Sequence, residues 1–94
     1  MATGSAWSEA LRLLGRRDFF AAELEQRLLG KGFTGDEVEE ALERGRAADL
    51  VDDARLAGRF VELRASSRGW GPKRLLGELM KRGAPREVAE SAVA

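Results

Sequence analysis

The sequence contains neither cysteine nor histidine. The first absence excludes disulfides and thiolate metal sites. The second removes the commonest metal ligand and the usual general base near neutral pH. Only two prolines interrupt the 94 residues, and 44% of the residues are apolar, a composition that points to a folded rather than a disordered chain. Apolar runs are short: none approaches the roughly 18 residues that span a bilayer. The opening residues MATGSAWSEA also lack the basic-then-apolar order of a secretory signal. No membrane association and a reducing, cytoplasmic setting are therefore expected.

Charge is present but unevenly placed. Formal net charge is zero, yet residues 1–53 hold seven Lys/Arg against twelve Asp/Glu, and residues 54–94 hold nine Lys/Arg against four Glu. The halves thus carry −5 and +5. Such asymmetry suits a two-faced surface that orients a partner, and it also arises when solvated helix faces merely differ.

The most informative stretch runs from Asp49 to Gly83. Asp52 and Asp53 are short acceptors where a helix start leaves N–H groups unpaired. Leu56, Phe60 and Leu63, flanked by Ala57 and Val61, then recur at helical spacing. Gly69 and Gly71 end that helix, and Pro72 suits the first turn of the next because its missing N–H would be unpaired there. Leu75, Leu76, Leu79 and Met80 form the following stripe, closed by Gly83. Upstream, residues 1–5 read as a frayed tail, and Trp7, Ala10, Leu11 and Leu14 mark a first helix over 6–14, stopped by Gly15. Asp18 is the expected cap of a second helix carrying Phe20, Leu24 and Leu28. Thr34 and Glu37 spell a capping box, opening a third helix with Val38, Ala41, Leu42 and Gly45 inward and Glu39, Glu40 and Glu43 outward. A last helix from Pro85 carries Val88, Ala89, Ala92 and Val93. No segment passes the alternation test for a strand, so the chain reads as six helices.

An offset of 51 positions aligns Ala6 with Ala57, Arg17 with Arg68, Phe19 with Trp70 and Leu24 with Leu75. It also aligns Leu28 with Leu79, Gly32 with Gly83, Glu39 with Glu90 and Ala41 with Ala92. One shift preserving so many anchors predicts an all-α fold of two tandem three-helix repeats, residues 6–50 and 51–94, sized for a compact or slightly elongated helical array. A unit this short buries little alone, which gives a reason for duplicating it.

The inventory for catalysis is poor. Asp52 and Asp53 are adjacent and diverge by about 100° on a helix. The glutamates of the third helix lack partner ligand types, and Gly69-Trp70-Gly71-Pro72 is not followed by the Gly-Lys-Ser/Thr of a phosphate loop. No enzyme, no metal, no cofactor and no small-molecule substrate are expected. For binding, the candidates are Arg64, Arg68, Lys73 and Arg74 around the Gly-Trp-Gly-Pro turn, with Lys81, Arg82 and Arg86 further on. Cations at a helix start oppose its dipole, which points to a use beyond folding. Such residues meet phosphates or acidic side chains. Two readings stand for Trp70: an aromatic that faces a partner, or one that packs on its own core. Arg55 and Arg59, four apart on one face, either bind or pair with acids of the first repeat.

The order Asp52-Asp53-x-Arg55, Phe60, Arg64, Gly69-Trp70-Gly71-Pro72, Arg74, Glu78-Leu79 and Gly83 resembles the RecX family of recombinase regulators. Upstream, Ala10, Leu14, Arg17-Asp18, Glu23-Leu24, Leu28, Lys31 and Gly32 fit the family's opening repeat, so the resemblance spans roughly residues 7–93. It implies tandem three-helix repeats and binding to the recombinase RecA or its nucleoprotein filament, with restraint of strand exchange and nucleotide hydrolysis. DNA contact would be weak and secondary. Members commonly carry a third repeat, whereas two are matched here. The family's serine at the start of the second helix is Phe20, its Gly-aromatic pair before the two acids is Asp49-Leu50, and its aromatic after Arg55 is Leu56. Two other readings remain at this level. One is a small DNA-binding module using the basic second half, and the other is a scaffold that dimerises through an exposed Phe19 or Trp70.

Overall fold

The computed structural model describes residues 4–94. Six helices follow in order: α1 (Ala6–Leu14), α2 (Ala21–Gly30), α3 (Gly35–Ala47), α4 (Asp53–Arg68), α5 (Pro72–Arg82) and α6 (Arg86–Val93). Among the described residues there is no strand. The chain divides into two compact units, the first ending at Asp52 and the second comprising Asp53–Ala94.

In the first unit α3 is the central helix, packing on both α1 and α2. Its inner face is the expected one: Val38, Ala41, Leu42 and Gly45 are all buried. They meet Ala6, Ala10 and Leu13 of α1, Leu24 and Leu28 of α2, and Phe19, Phe33 and Val51 from the connections. Gly45 is required by a close approach. A Cβ there would lie 2.7 Å from Val51 Cγ2, so the missing side chain lets the chain after α3 fold back against the helix. The second unit repeats the plan, with α6 packing on α4 and α5 around Ala57, Phe60, Leu75, Leu79, Ala84 and Ala89.

The duplication is visible in backbone geometry as well as burial. Gly32 and Gly83, 51 apart, both take left-handed φ, 95° and 111°. In each copy the following residue closes the helix with a bond back to the last buried leucine. Phe33 N–H donates to Leu28 C=O at 3.4 Å, and Ala84 N–H donates to Leu79 C=O at 3.0 Å. This is the six-to-one closure of a left-handed helix stop, which satisfies orphan carbonyls and tucks an apolar residue under the helix end. The chain after α3 closes the same way with Asp49 at φ 60° and Leu50 N–H donating to Gly45 C=O at 2.8 Å. Aspartate is one of the few side chains that tolerates this region.

Three local expectations change. Ser5, counted with the frayed tail, is the N-cap of α1, its hydroxyl accepting from Ser8 N–H at 3.0 Å; residues 1–3 of that segment lie outside the described residues. The N-cap of α2 is Phe20 rather than Asp18, and the Phe20 N–H donates to the Glu23 carboxylate at 2.9 Å. Glu23 thus does from inside the helix what a capping side chain does from outside. Leu63, expected on the inner stripe of α4, is 57% exposed. The covered face is instead Ala57, Phe60, Val61 and Arg64, the i, i+3, i+4, i+7 set of one helix side. An arginine takes the place where a leucine would continue it. The expected capping box of α3 is present, with Thr34 N–H donating to Glu37 at 2.8 Å and Glu37 N–H to the Thr34 hydroxyl at 3.2 Å.

Candidate functional site: arginines stacked on aromatic rings

Trp70 sits in the three-residue connection between α4 and α5. Gly69, at φ 65°, turns the chain out of α4, and Trp70 N–H donates to Arg64 C=O at 3.4 Å. This closure brings the indole back over the last turns of α4, where it meets Phe60 with ring centroids 6.2 Å apart and planes tilted by 58°. Arg64 reaches both rings, its guanidinium carbon lying 5.0 Å from the Phe60 centroid and 5.7 Å from that of Trp70. Arg74, one turn into α5, lies 4.2 Å from the Trp70 centroid, and Arg82 lies 5.8 Å from Phe60. Ring faces carry negative potential, so each placement holds a guanidinium without neutralising it. The planes of Arg64 and Arg74 are held in position while their charge is kept.

The candidate residues are therefore sorted by the fold. Arg64, Trp70, Arg74 and Arg82 meet around one aromatic pair. Arg68, Lys73 and Lys81 are exposed on the same unit, and among the described residues no ion pair holds them. Arg86 is occupied locally by Glu90 at 3.4 Å. Trp70 is half-buried: part of the ring packs on Phe60, as one of its two readings expected, and part remains accessible. Phe19, expected as an exposed dimerisation contact, is buried at 3% exposure.

Sequence reasoning missed a second arginine–aromatic arrangement in the first unit. Arg17 lies 3.7 Å from the Phe19 centroid and Arg27 lies 5.6 Å away. Phe19 is the repeat counterpart of Trp70, but the cations come from other positions, since Arg27 matches Glu78 under the 51-residue offset. The shared aromatic position was the available signal; the origin of its cations was not legible. Also in the first unit, Arg44 of α3 lies 4.7 Å from the Trp7 ring of α1.

One carboxylate has a clear electrostatic role. Glu9 accepts from Arg12 Nε at 2.9 and 3.0 Å and lies 3.4 Å from Lys31, tying α1 to the end of α2. Hydrogen bonding to Arg12, reinforced by Lys31, holds its pKa down to about 2 and raises that of Arg12. These contacts tie the carboxylate to Arg12 of its own helix and to Lys31 at the end of α2. Among the described residues no group of three or more carboxylates gathers as a metal site would require, and no helix is long and apolar enough to cross a membrane.

Fold and surface together define a tandem three-helix repeat protein whose cations are arranged over aromatic rings. Residues 6–44 match the first three-helix domain of RecX and residues 52–93 match the second. The chain is 44% identical over 89 residues to the regulatory protein RecX of Syntrophotalea carbinolica, covering 94% of this chain and 58% of the relative. It is 41% identical over 88 residues to that of Thermus thermophilus, covering 94% and 60%. The crystal structure of RecX from Lactobacillus salivarius superposes with a TM-score of 0.89 at 25% identity, covering 93% of this chain and 56% of that one. The chain belongs to the RecX family, and it spans little more than half the length of these relatives. Those relatives are named as regulatory proteins.

Proposed function

We infer that the chain binds a RecA-type recombinase, or its nucleoprotein filament, and restrains its activity in recombination and repair. Family membership makes a regulatory role the starting point, and the cluster around Trp70 is the observation that carries the contact. Arg64 and Arg74 are held over rings rather than in ion pairs, so their charge is undiminished and their planes are preset for carboxylates. A half-buried tryptophan flanked by arginines has the composition of an interface hot spot. Arg68 and Lys73 flank the Trp70 turn in sequence and are exposed, as is Lys81 of α5, and Arg82 lies 5.8 Å from Phe60. The action is occlusion: a helical surface laid on the recombinase excludes other contacts without chemistry of its own, in the cytoplasm where the recombinase works.

Co-sedimentation with filaments of the recombinase on single-stranded DNA tests this, with the filament's ATP hydrolysis as a second readout. Saturable co-sedimentation and slowed hydrolysis support the reading, and no binding at any ratio removes it.

A second reading is direct DNA binding, favoured by the net +4 charge of Asp53–Ala94. Against sequence-specific readout, that unit contains no Asn or Gln, the side chains that pair with adenine edges. What remains is salt-sensitive phosphate contact, which a gel shift on DNA alone detects.

A further inference from the structure

The solvent side of α5 has an unusual make-up. Lys73, Gly77 and Lys81 are all exposed, and at about 100° per residue they fall within about 80° of one another around the helix. Arg74 lies at the edge of that arc, while Leu75 and Leu79 are buried on the other side. Among the described residues neither lysine has an ion-pair partner. A Cβ at Gly77 would meet nothing within 4 Å, so the middle of the arc is bare backbone. The two lysines stand about 12 Å apart along the axis, with a depression between them.

Both features cost the isolated chain stability. An exposed glycine inside a helix lowers its propensity, and Lys73 in the first turn opposes the helix dipole. A negatively charged partner whose backbone comes close over Gly77 offsets both. The first unit carries that chemistry on a helix. Asp36, Glu39, Glu40 and Glu43 are exposed on α3 at the i, i+3, i+4, i+7 spacing of one helix face. They lie opposite the buried Val38, Ala41 and Leu42. Among the described residues none of these acids has an ion-pair partner, and like charges at such spacings repel. They are spread along the helix and do not gather as metal ligands would. Asp36 and Glu43 stand about 10 Å apart along the axis, close to the separation of the two lysines.

The same complementarity holds for the whole units. Residues 1–52 carry a net −4 and Asp53–Ala94 a net +4, which cancel in the chain, and zero net charge favours association of copies. We propose that this face of α5 docks the acidic face of α3 from a second copy of the chain, helix against helix, with Gly77 at the crossing. The two surfaces differ, so the contact is heterologous. Exposed ion pairs of this kind are individually weak and are screened by salt, so the association is weak and salt-sensitive. Arg74 also lies 4.2 Å from the Trp70 centroid, so a docked copy covers part of the surface given above to the recombinase. The docking itself does not rest on that reading.

The test is sedimentation velocity of the 94-residue chain at concentrations up to about 1 mM, where weak complexes populate. In about 0.05 M salt the average sedimentation coefficient of the wild type rises with concentration, and in about 0.5 M salt it stays at the monomer value. Glu39→Lys with Glu43→Lys, and separately Lys73→Glu with Lys81→Glu, each remain monomeric in low salt. Mixing the two variants restores association, because each keeps one native surface and the reversed pair also matches. Restoration requires both variants to be folded, so misfolding cannot imitate it. Gly77→Leu leaves the charge unchanged, fills the depression and weakens association. The salt dependence of the wild type needs no variant, so it stands even if a substitution perturbs folding. A wild type that stays monomeric in low salt overturns the proposal. If a short DNA duplex then binds the wild type but not Lys73→Glu/Lys81→Glu, the face belongs to phosphates. Association that survives both charge reversals, is not restored by mixing, or is indifferent to Gly77→Leu also overturns it. Because no recombinase is present, failure to bind filaments and failure of this contact are read separately.

Discussion

Arg64 holds Trp70 twice: its carbonyl accepts the Trp70 N–H at 3.4 Å, and its guanidinium lies 5.7 Å from the indole centroid. The first contact is the closing bond of α4, so the placement of the indole depends on how the helix ends. Gly69 makes that ending possible with its left-handed φ of 65°. Fold and candidate site are joined at this residue.

Trp70→Ala removes the packing against Phe60 and the stacking surface for Arg64 and Arg74. A loss of about 2–3 kcal/mol in urea unfolding is expected, below the full cost of a buried aromatic because the ring is only half covered. Trp70→Phe recovers part of that stability and part of the partner binding. Stability unchanged in the alanine variant would show that the ring does not pack as described.

Gly45 and Val51 form a coupled pair. Gly45→Ala gains up to about 1 kcal/mol of helix propensity but places its Cβ against Val51 Cγ2, for which overpacking costs about 1–3 kcal/mol. Net destabilisation is expected alone, and rescue when Val51→Ala is added. A double-mutant cycle by thermal melting reads the coupling.

Two glycines with open surroundings respond in opposite directions. A Cβ at Gly32 or at Gly77 meets nothing within 4 Å, but Gly32 has φ 95° and Gly77 lies inside α5. Gly32→Ala therefore costs about 1–2 kcal/mol through backbone strain, while Gly77→Ala stabilises by about 0.4–1 kcal/mol. Melting temperatures that move the same way would contradict the backbone account.

Much of this architecture was legible from the residues alone. The capping box of Thr34 and Glu37 and the inner face of α3 follow from short-range spacing, which periodicity reports well, and the duplication follows from one 51-residue shift that preserves many anchors. The misses have one physical source: side chains that reach across turns. Glu23 caps α2 from within, Arg64 replaces Leu63 on the covered face of α4, and Phe19 is buried beneath Arg17. The binding candidates were found as a charge pattern, but only the fold separates the arginines resting on rings from the lysines that do not.

Acid should loosen the first unit through Glu9. Its folded pKa is about 2, against about 4.3 for an ordinary glutamate in the unfolded chain. Between these values the unfolded state binds more protons, so stability rises with pH through that window. The contribution is complete above about pH 4.3 and fades as pH falls toward 2. Glu9→Gln flattens that part of the acid limb, and salt weakens it because the pair is exposed to solvent. An acid limb identical in the variant would remove the ion pair from the account.

Binding of the recombinase through the Trp70 cluster is read out by the ATP hydrolysis rate of preformed filaments titrated with the wild-type chain and with Arg68→Glu/Arg74→Glu. A saturable fall in rate is expected with the wild type. The variant should need about tenfold or more chain, one lost charge contact of roughly 1.4 kcal/mol being a factor of ten, with helix content by circular dichroism unchanged. Equal inhibition by both chains, or no inhibition by the wild type at any ratio, would contradict it.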